Sequence, residues 1–261
     1  MTVRSTSIFR AGLRGRSGPM LGTWVKLAAP ESVELLALAG FEFVVIDLEH
    51  SPMGLEAASG HISTALLAGV SPIVRVPALD AGMATRLLDA GAEGIMLPHV
   101  DSVADARRFV DACRFPPLGS RGVGSTSRAG HWGAMPRDAY LRYGREEVVL
   151  VAQLESAAAV AAAQEIGALP GIDALLIGTA DLSVSEQVPE DGPELGRLVR
   201  TAVAAAEAAG VPIGCAGPPT AEAVATAAAT GFDFVLLGND AGFLGAAARA
   251  AVLAGADVRY P

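Results

Sequence analysis

Hydrophobic and polar positions along the chain fall into alternating blocks. Eight short apolar runs, rich in Val, Ile and Leu, occupy residues 20–27, 41–48, 71–77, 94–100, 148–155, 174–183, 211–217 and 232–240. Continuous apolar runs of this length are typical of strands that are covered on both faces, as in parallel sheets. The pattern therefore predicts a buried parallel sheet.

Helix-length segments lie between many of these runs. The segment 30–40 begins with Pro30 and Glu31 and ends with Gly40, which is the usual punctuation of a helix. The same scheme applies to 81–91, 102–114, 156–169, 192–210 and 220–231. Eight strands alternating with helices, in one domain spanning residues 1–261, indicate a (β/α)8 TIM barrel.

A doubly wound open sheet is the alternative α/β architecture. It would normally carry a Gly-rich nucleotide-binding turn after its first strand. Residues 23–30 (TWVKLAAP) follow the first run and contain no such turn. The barrel is therefore favoured, and no nucleotide cofactor is expected.

Two segments do not follow the alternation. Residues 1–19 form a basic N-terminal extension without the apolar core of a signal peptide. Residues 116–147 are polar and Gly-rich and carry five arginines. A connection this long is usually functional or packed against a partner, so we expect it near the pocket or at a subunit interface. A solvated surface insertion is the other interpretation.

Composition excludes several classes of function. The chain has 261 residues and a formal net charge of −9, which argues against a general nucleic-acid binder or a protein of anionic membranes. The chain has no uninterrupted run of 18 apolar residues, so its sequence predicts no membrane span. Cys113 and Cys215 lack metal-type spacing and indicate reduced thiols in a cytoplasmic protein.

Charged and polar residues are concentrated where the apolar runs end. They are Asp47, Glu49 and His50 after the second run, Arg75 in the third, Gln153 and Glu155 in the fifth, and Asp181 in the sixth, with Asp89 in the helix before the fourth. Barrel enzymes place their chemistry at the carboxyl ends of the strands. We expect these side chains to converge on one pocket.

Glu155 and Asp181 are about one strand–helix unit apart, so adjacent strands would present two carboxylates to the same place. Two such carboxylates repel each other unless they share a proton or a cation. Mg²⁺ or Mn²⁺ accepts two protein carboxylates when waters and a chelating substrate complete its shell. Two unrelated acids are the alternative. His50 follows Asp47 and Glu49 at a predicted strand end and is a candidate general base, with a structural histidine as the alternative.

The lysine count bears on Schiff-base catalysis. This chemistry needs a lysine amine in the pocket, and Lys26 is the only lysine of the chain. The acid pair, Arg75 and His50 would have no common purpose in that chemistry. We therefore expect no Schiff-base lysine.

Six motifs carry a resemblance to a known family. IDLEHSP (46–52), VRVP (74–77), LLDAGAEGIMLPHV (87–100), RGVGSTSRA (121–129), QLES (153–156) and IGTADLS (177–183) occur in the order and spacing of the HpcH/HpaI aldolases. These enzymes are metal-dependent pyruvate aldolases. The resemblance covers about residues 20–250.

The resemblance implies a barrel of the phosphoenolpyruvate/pyruvate type that forms a homohexamer, a trimer of dimers. It implies a divalent metal, Mg²⁺ or Mn²⁺ with Co²⁺ as a further option, held by Glu155 and Asp181. By position, His50 is the catalytic base, Asp89 the acid that raises its basicity, and Arg75 the group that stabilises the enolate. The substrate-binding positions are Arg75, Gln153, Gly178, Thr179 and Ala180, with Asp47 and Glu49 as supporting residues.

The implied reaction is reversible cleavage of a 4-hydroxy-2-oxo acid to pyruvate, or a related 2-oxo acid, and an aldehyde. Decarboxylation of oxaloacetate, or another capture of the same enolate, is the alternative. Thr179 stands where the family usually has proline, and the segment after Asp181 is short and acidic. This departure leaves the identity of the substrate open.

Overall fold

A computed structural model describes residues 6–256 of the chain. Eight parallel strands close into a barrel in which each strand pairs with its neighbours in sequence and the first pairs with the last. The strands are β1 (Met20–Val25), β2 (Phe43–Asp47), β3 (Ser71–Arg75), β4 (Gly94–Leu97), β5 (Val149–Leu154), β6 (Ala174–Ile177), β7 (Ile213–Gly217) and β8 (Phe234–Asn239). The closed barrel confirms the predicted fold and excludes the open sheet.

Helices surround the barrel, and several of them were not predicted. The helices are α1 (Ile8–Leu13), α2 (Glu31–Leu38), α3 (Leu55–Ala68), α4 (Ala81–Asp89), α5 (Val103–Cys113), α6 (Arg137–Glu146), α7 (Ala157–Gly167), α8 (Thr179–Glu186), α9 (Pro193–Ala209), α10 (Ala221–Thr230) and α11 (Asp240–Ala256). Within residues 6–256, no helix is both long and apolar enough to cross a membrane.

Aromatic side chains fill the barrel at the amino end of its strands. Phe43 and Phe234 point inward from the starts of β2 and β8, and Phe9 of α1 packs on them with ring centroids 5.1 and 5.3 Å away. A Cβ on Gly22 would lie 2.3 Å from the Phe43 ring, so this position accepts only glycine. Part of the predicted N-terminal extension therefore plugs the barrel, while residues 1–5 lie outside the described residues.

The segment 116–147 lies at the same amino end, because it connects α5 to β5. It contains a 3₁₀ turn at Arg128–Gly133 followed by α6. Tyr140 of α6 packs on Phe115, with ring centroids 5.5 Å apart. The expectation that this segment meets a subunit interface stays a prediction.

Candidate active site

A buried ion pair joins the carboxyl ends of β2 and β3. Asp47 and Arg75 are the last residues of these strands and are register partners. Arg75 donates from Nε to Asp47 Oδ1 at 3.0 Å and from Nη2 to Oδ2 at 2.8 Å. Such bidentate, charge-assisted pairs fix the plane of the guanidinium as well as its position.

Asp47 also holds the backbone that follows β2. Its Oδ1 accepts the N–H groups of Glu49 at 3.1 Å and His50 at 3.2 Å. Burial raises the pKa of Asp47, but the hydrogen bond and charge of Arg75, the N–H of His50 and the charge of Lys26 together leave the pKa below its usual value. Asp47 is therefore ionised at neutral pH and organises the strand end.

Arg75 is held on its other sides as well. Its guanidinium carbon lies 4.1 Å from the centre of the Trp24 ring, and Nη1 lies 3.1 Å from Glu49 Oε2. The side chain is only 5% exposed. A cation stacked on an aromatic ring and paired with two carboxylates has little freedom to turn, so Arg75 presents a fixed positive charge to the pocket.

Glu155 follows β5 and is the centre of the acidic side of the pocket. Its Oε1 accepts a hydrogen bond from Gln153 Nε2 at 2.5 Å, and its Oε2 accepts the His99 N–H at 2.9 Å. Burial raises the pKa of Glu155, and the charges of Asp181 and Glu49 raise it further, against the opposing effect of His99. Burial and two neighbouring carboxylates thus disfavour the ionised form of Glu155.

The turn before α8 passes directly over Glu155. A Cβ on Gly178 would lie 2.9 Å from Glu155 Cγ and 3.2 Å from Gln153 Nε2, so glycine permits this close approach. Asp181 lies in the first turn of α8 and is exposed. Thr179 and Ala180 begin the same helix, where backbone N–H groups have no intrahelical partner.

His50 lies at the open side of the pocket. Its backbone N–H is anchored on Asp47, while its side chain is 56% exposed. Its Nε2 lies 3.8 Å from Glu49 Oε2. The ring is accessible to a substrate that enters the pocket, which is compatible with the predicted role of a base.

Asp89 does not lie in this pocket but at the opposite end of the barrel. It is the last residue of α4, and because the helices run antiparallel to the strands this residue is at the amino end of the barrel. Its Oδ1 accepts hydrogen bonds from Arg121 Nη2 at 2.7 Å and Tyr140 Oη at 3.2 Å. Within one chain, therefore, Asp89 does not join His50, and its predicted role stays a prediction.

Two pocket residues were missed or set aside by sequence reasoning. His99 adopts a left-handed backbone conformation with φ of 54°, and its Nδ1 lies 3.0 Å from Glu155 Oε2. Such conformations are strained for residues other than glycine and cluster at functional sites. Lys26 was considered only as a Schiff-base amine, yet its Nζ lies 3.2 Å from Asp47 Oδ2. Their positions, two residues after β4 and one residue after β1, were the available signal.

The acidic side of the pocket fits a divalent cation. Among residues 6–256, no preformed cluster of three His, Cys, Asp or Glu side chains suits a metal. The fit rests instead on two carboxylates, Glu155 and Asp181, and on the buried Oε1 of Gln153, which has no hydrogen-bond partner. These are hard oxygen donors, and Mg²⁺ or Mn²⁺ commonly uses one or two protein carboxylates and takes its other ligands from water and substrate.

Comparison with known proteins decides the family. Residues 20–247 match the model of the HpcH/HpaI aldolase/citrate lyase family. The chain belongs to this family. It is 36% identical over 245 residues to a hydroxypyruvate/pyruvate aldolase of Delftia acidovorans, covering 93% of this chain and 90% of that protein.

Further relatives of the family agree with this assignment. A 4-hydroxy-2-oxovalerate aldolase of Novosphingobium aromaticivorans is 38% identical, with 79% of this chain and 78% of that protein covered. A crystal structure of an HpcH/HpaI aldolase/citrate lyase family protein from Burkholderia cenocepacia superposes with a TM-score of 0.88 at 31% identity, covering 97% and 100% of the two chains. The HpcH/HpaI chain is thus a carbon–carbon lyase of the aldolase type, as its sequence predicted.

The ionised state of Asp47 gives a testable pH dependence. Because the folded pKa is lowered from 3.8, this group stabilises the fold above the unfolded pKa, and the stabilisation is lost as pH falls through the folded value. We expect Asp47→Asn to lower the free energy of unfolding at pH 7 by about 3–5 kcal/mol, since Arg75 loses its buried partner. The variant should also lose less stability than wild type between pH 5 and pH 2.

Urea unfolding across this pH range measures both effects. The exposed Asp191→Asn is the matched control and should behave as wild type at each pH. A cost below about 1 kcal/mol for Asp47→Asn at pH 7 would contradict the role given to the ion pair.

Proposed function

We propose that the chain is a divalent-metal-dependent aldolase that reversibly cleaves a 4-hydroxy-2-oxo acid to pyruvate, or a related 2-oxo acid, and an aldehyde. The observation that carries the proposal is the immobilised Arg75 guanidinium facing a pocket whose other side is formed by Glu155, Gln153 and the start of α8. A fixed cation beside a carboxylate cluster supplies what enolate chemistry on a 2-oxo acid requires.

The carboxylate cluster supports the metal assignment. Glu155 and Asp181 would hold the divalent cation, which supplies Lewis-acid polarisation of the bound 2-oxo acid when present. Burial raises the pKa of Glu155, the charges of Asp181 and Glu49 raise it further, and a bound cation would oppose both effects. Mg²⁺, Mn²⁺ and Co²⁺ all accept such oxygen donors.

Arg75 stabilises the charge that develops on the keto oxygen as the C3–C4 bond breaks. Its bonds to Asp47 and its stacking on Trp24 exist before substrate binds, so no reorganisation is needed during the reaction. The substrate carboxylate is bound by N–H groups of Thr179 and Ala180 and by the Gln153 amide. A helix N-terminus favours such an anion.

His50 takes the proton from the C4 hydroxyl in the cleavage direction and returns it in condensation. Its exposed ring and anchored backbone suit this task. Asp89 could raise the basicity of His50 only from another subunit, because the two residues lie at opposite ends of one barrel.

A homo-oligomer is part of the proposal, with a trimer of dimers as the expected form. The observation in its favour is α11, which carries Leu244, Val252 and Leu253 at 63%, 72% and 70% exposure. Exposed apolar side chains along one helix favour burial against a second copy. Such an assembly would also be required for the predicted role of Asp89.

Decarboxylation of oxaloacetate is the second candidate, because loss of CO₂ from oxaloacetate leaves the same enolate of pyruvate. The same Arg75 and Glu155 would serve it. Rates of pyruvate release from oxaloacetate and from a 4-hydroxy-2-oxo acid, measured with the same enzyme preparation, decide between the two.

Replacement of Glu155 tests the metal site. We expect Glu155→Gln to weaken Mn²⁺ binding at least tenfold in calorimetric titration, since one of two charged ligands is lost. Pyruvate release from a 4-hydroxy-2-oxo acid should fall to the level seen with EDTA. The control is Glu165→Gln, which makes the same Glu-to-Gln change at an exposed position on α7. Wild-type Mn²⁺ affinity in Glu155→Gln would refute the assignment.

Replacement of His50 tests the proton transfer separately. His50→Ala should lower kcat by about 10²- to 10⁴-fold, the usual contribution of a positioned general base. Mn²⁺ affinity should stay within twofold of wild type, because His50 is not a ligand in this proposal. Glu165→Gln, at an exposed position on α7, is again the control. An unchanged kcat in His50→Ala would show that another group moves the proton.

A further inference from the structure

Lys26 has a fixed position at the rim of the pocket. It directly follows β1, and its backbone N–H donates to Asp240 Oδ1 at 2.8 Å. The N–H of Leu27 donates to the other oxygen of the same carboxylate at 3.1 Å. Asp240 is buried at the carboxyl end of β8, so it clamps the backbone from which the Lys26 side chain extends.

Asp47 does not depend on Lys26 for its hydrogen bonds. Arg75 donates twice to this carboxylate, and the N–H groups of Glu49 and His50 supply two further bonds. A carboxylate has about four acceptor sites, so these donors already satisfy it. The Lys26 ammonium, 3.2 Å from Oδ2, is additional to a complete set.

The side chains of Arg75 and Lys26, the two cations beside Asp47, differ in their exposure to solvent. The Arg75 side chain is 5% exposed and is committed to Asp47 and Glu49, whereas the Lys26 side chain is 29% exposed. An ammonium has three N–H donors, and the contact to Asp47 Oδ2 at 3.2 Å needs no more than one of them. Lys26 therefore has donors left for a ligand that arrives from solvent.

The remaining charges of the pocket define which ligand needs this ammonium. Glu49, Glu155 and Asp181 contribute carboxyl groups, and even a divalent cation at Glu155 and Asp181 would be engaged with the 2-oxo acid. An anionic group at the opposite end of the substrate would face the Glu49 carboxylate, whose partner Arg75 is already committed to two carboxylates, so a further cation favours its binding. Lys26 is on the β1 side of the barrel, across from the β5–β6 side that carries Glu155 and the start of α8.

We propose that Lys26 binds a carboxylate on the aldehyde-derived half of the substrate and so selects 4-hydroxy-2-oxo acids that carry a second anionic group. The inference rests on the proposed aldolase function and adds the residue that determines selectivity for the aldehyde. Lys26 forms no covalent bond in this role.

The test compares aldehydes of equal length with and without a carboxylate. Pyruvate is condensed with glyoxylate or acetaldehyde, and with succinate semialdehyde or butanal, in the presence of Mn²⁺. In Lys26→Gln, the ratio of kcat/KM for the acidic aldehyde to that for the neutral one should fall about tenfold to a hundredfold, the usual effect of one charge-assisted hydrogen bond. Most of the fall should appear in KM for the acidic aldehyde.

Two further variants distinguish recognition of the aldehyde carboxylate by Lys26 from a structural role of Lys26 and from an effect of the protein's net charge. Lys26→Arg keeps the cation and should keep most of the selectivity ratio. Arg16→Gln removes an equal charge from the amino end of the barrel, where Arg16 pairs with Glu42, and should leave the ratio as in wild type. An equal loss for both aldehydes in Lys26→Gln, or a rise in KM for pyruvate alone, would overturn the inference.

Failure of the proposed function gives a different pattern. Condensation of pyruvate with acetaldehyde or butanal by the wild-type enzyme tests the aldolase activity without involving Lys26. Activity on these neutral aldehydes with an unchanged ratio in Lys26→Gln overturns the inference alone. Absence of condensation with all four aldehydes overturns both.

Discussion

The buried ion pair between Asp47 and Arg75 is the constraint on which the pocket depends. It joins two neighbouring strand ends, sets the plane of the guanidinium and folds the backbone after β2 so that His50 faces the pocket. A buried charge pair of this kind need not add to stability compared with apolar residues, but its loss would leave one charge unpaired. Its value lies in placing one cation before substrate arrives.

The side of the pocket opposite Arg75 carries acidic side chains. Glu155 is buried beside other carboxylates, which raises its pKa, and the glycine at 178 lets the start of α8 approach it closely. A fixed cation on β3 and an acidic cluster beyond β5 together suit the proposed 2-oxo acid substrate, whose keto oxygen becomes negatively charged. This division of charge connects the barrel topology to the chemistry of its family.

The fold and most of the pocket could be predicted from sequence because both follow from strand periodicity. Continuous apolar runs mark the strands, and the residues that end them must meet at one rim, so Asp47, Arg75, Gln153 and Glu155 were expected together. Asp89 lies at the other rim because it ends a helix, and helix direction reverses with each strand. The roles of Lys26 and His99 depend on side-chain directions, and the ammonium at Asp47 and the left-handed φ of His99 are not encoded in any local pattern.

The most direct test of the account is enolisation of pyruvate without any aldehyde. Exchange of the C3 protons of pyruvate for deuterium in D₂O, followed by proton NMR, reports formation of the enolate alone. The account predicts exchange by the wild-type enzyme with Mg²⁺ and a loss of at least tenfold in Arg75→Lys, because lysine cannot reproduce the bidentate, stacked cation. Equal exchange rates in the two proteins would contradict the central claim that the clamped Arg75 stabilises the enolate.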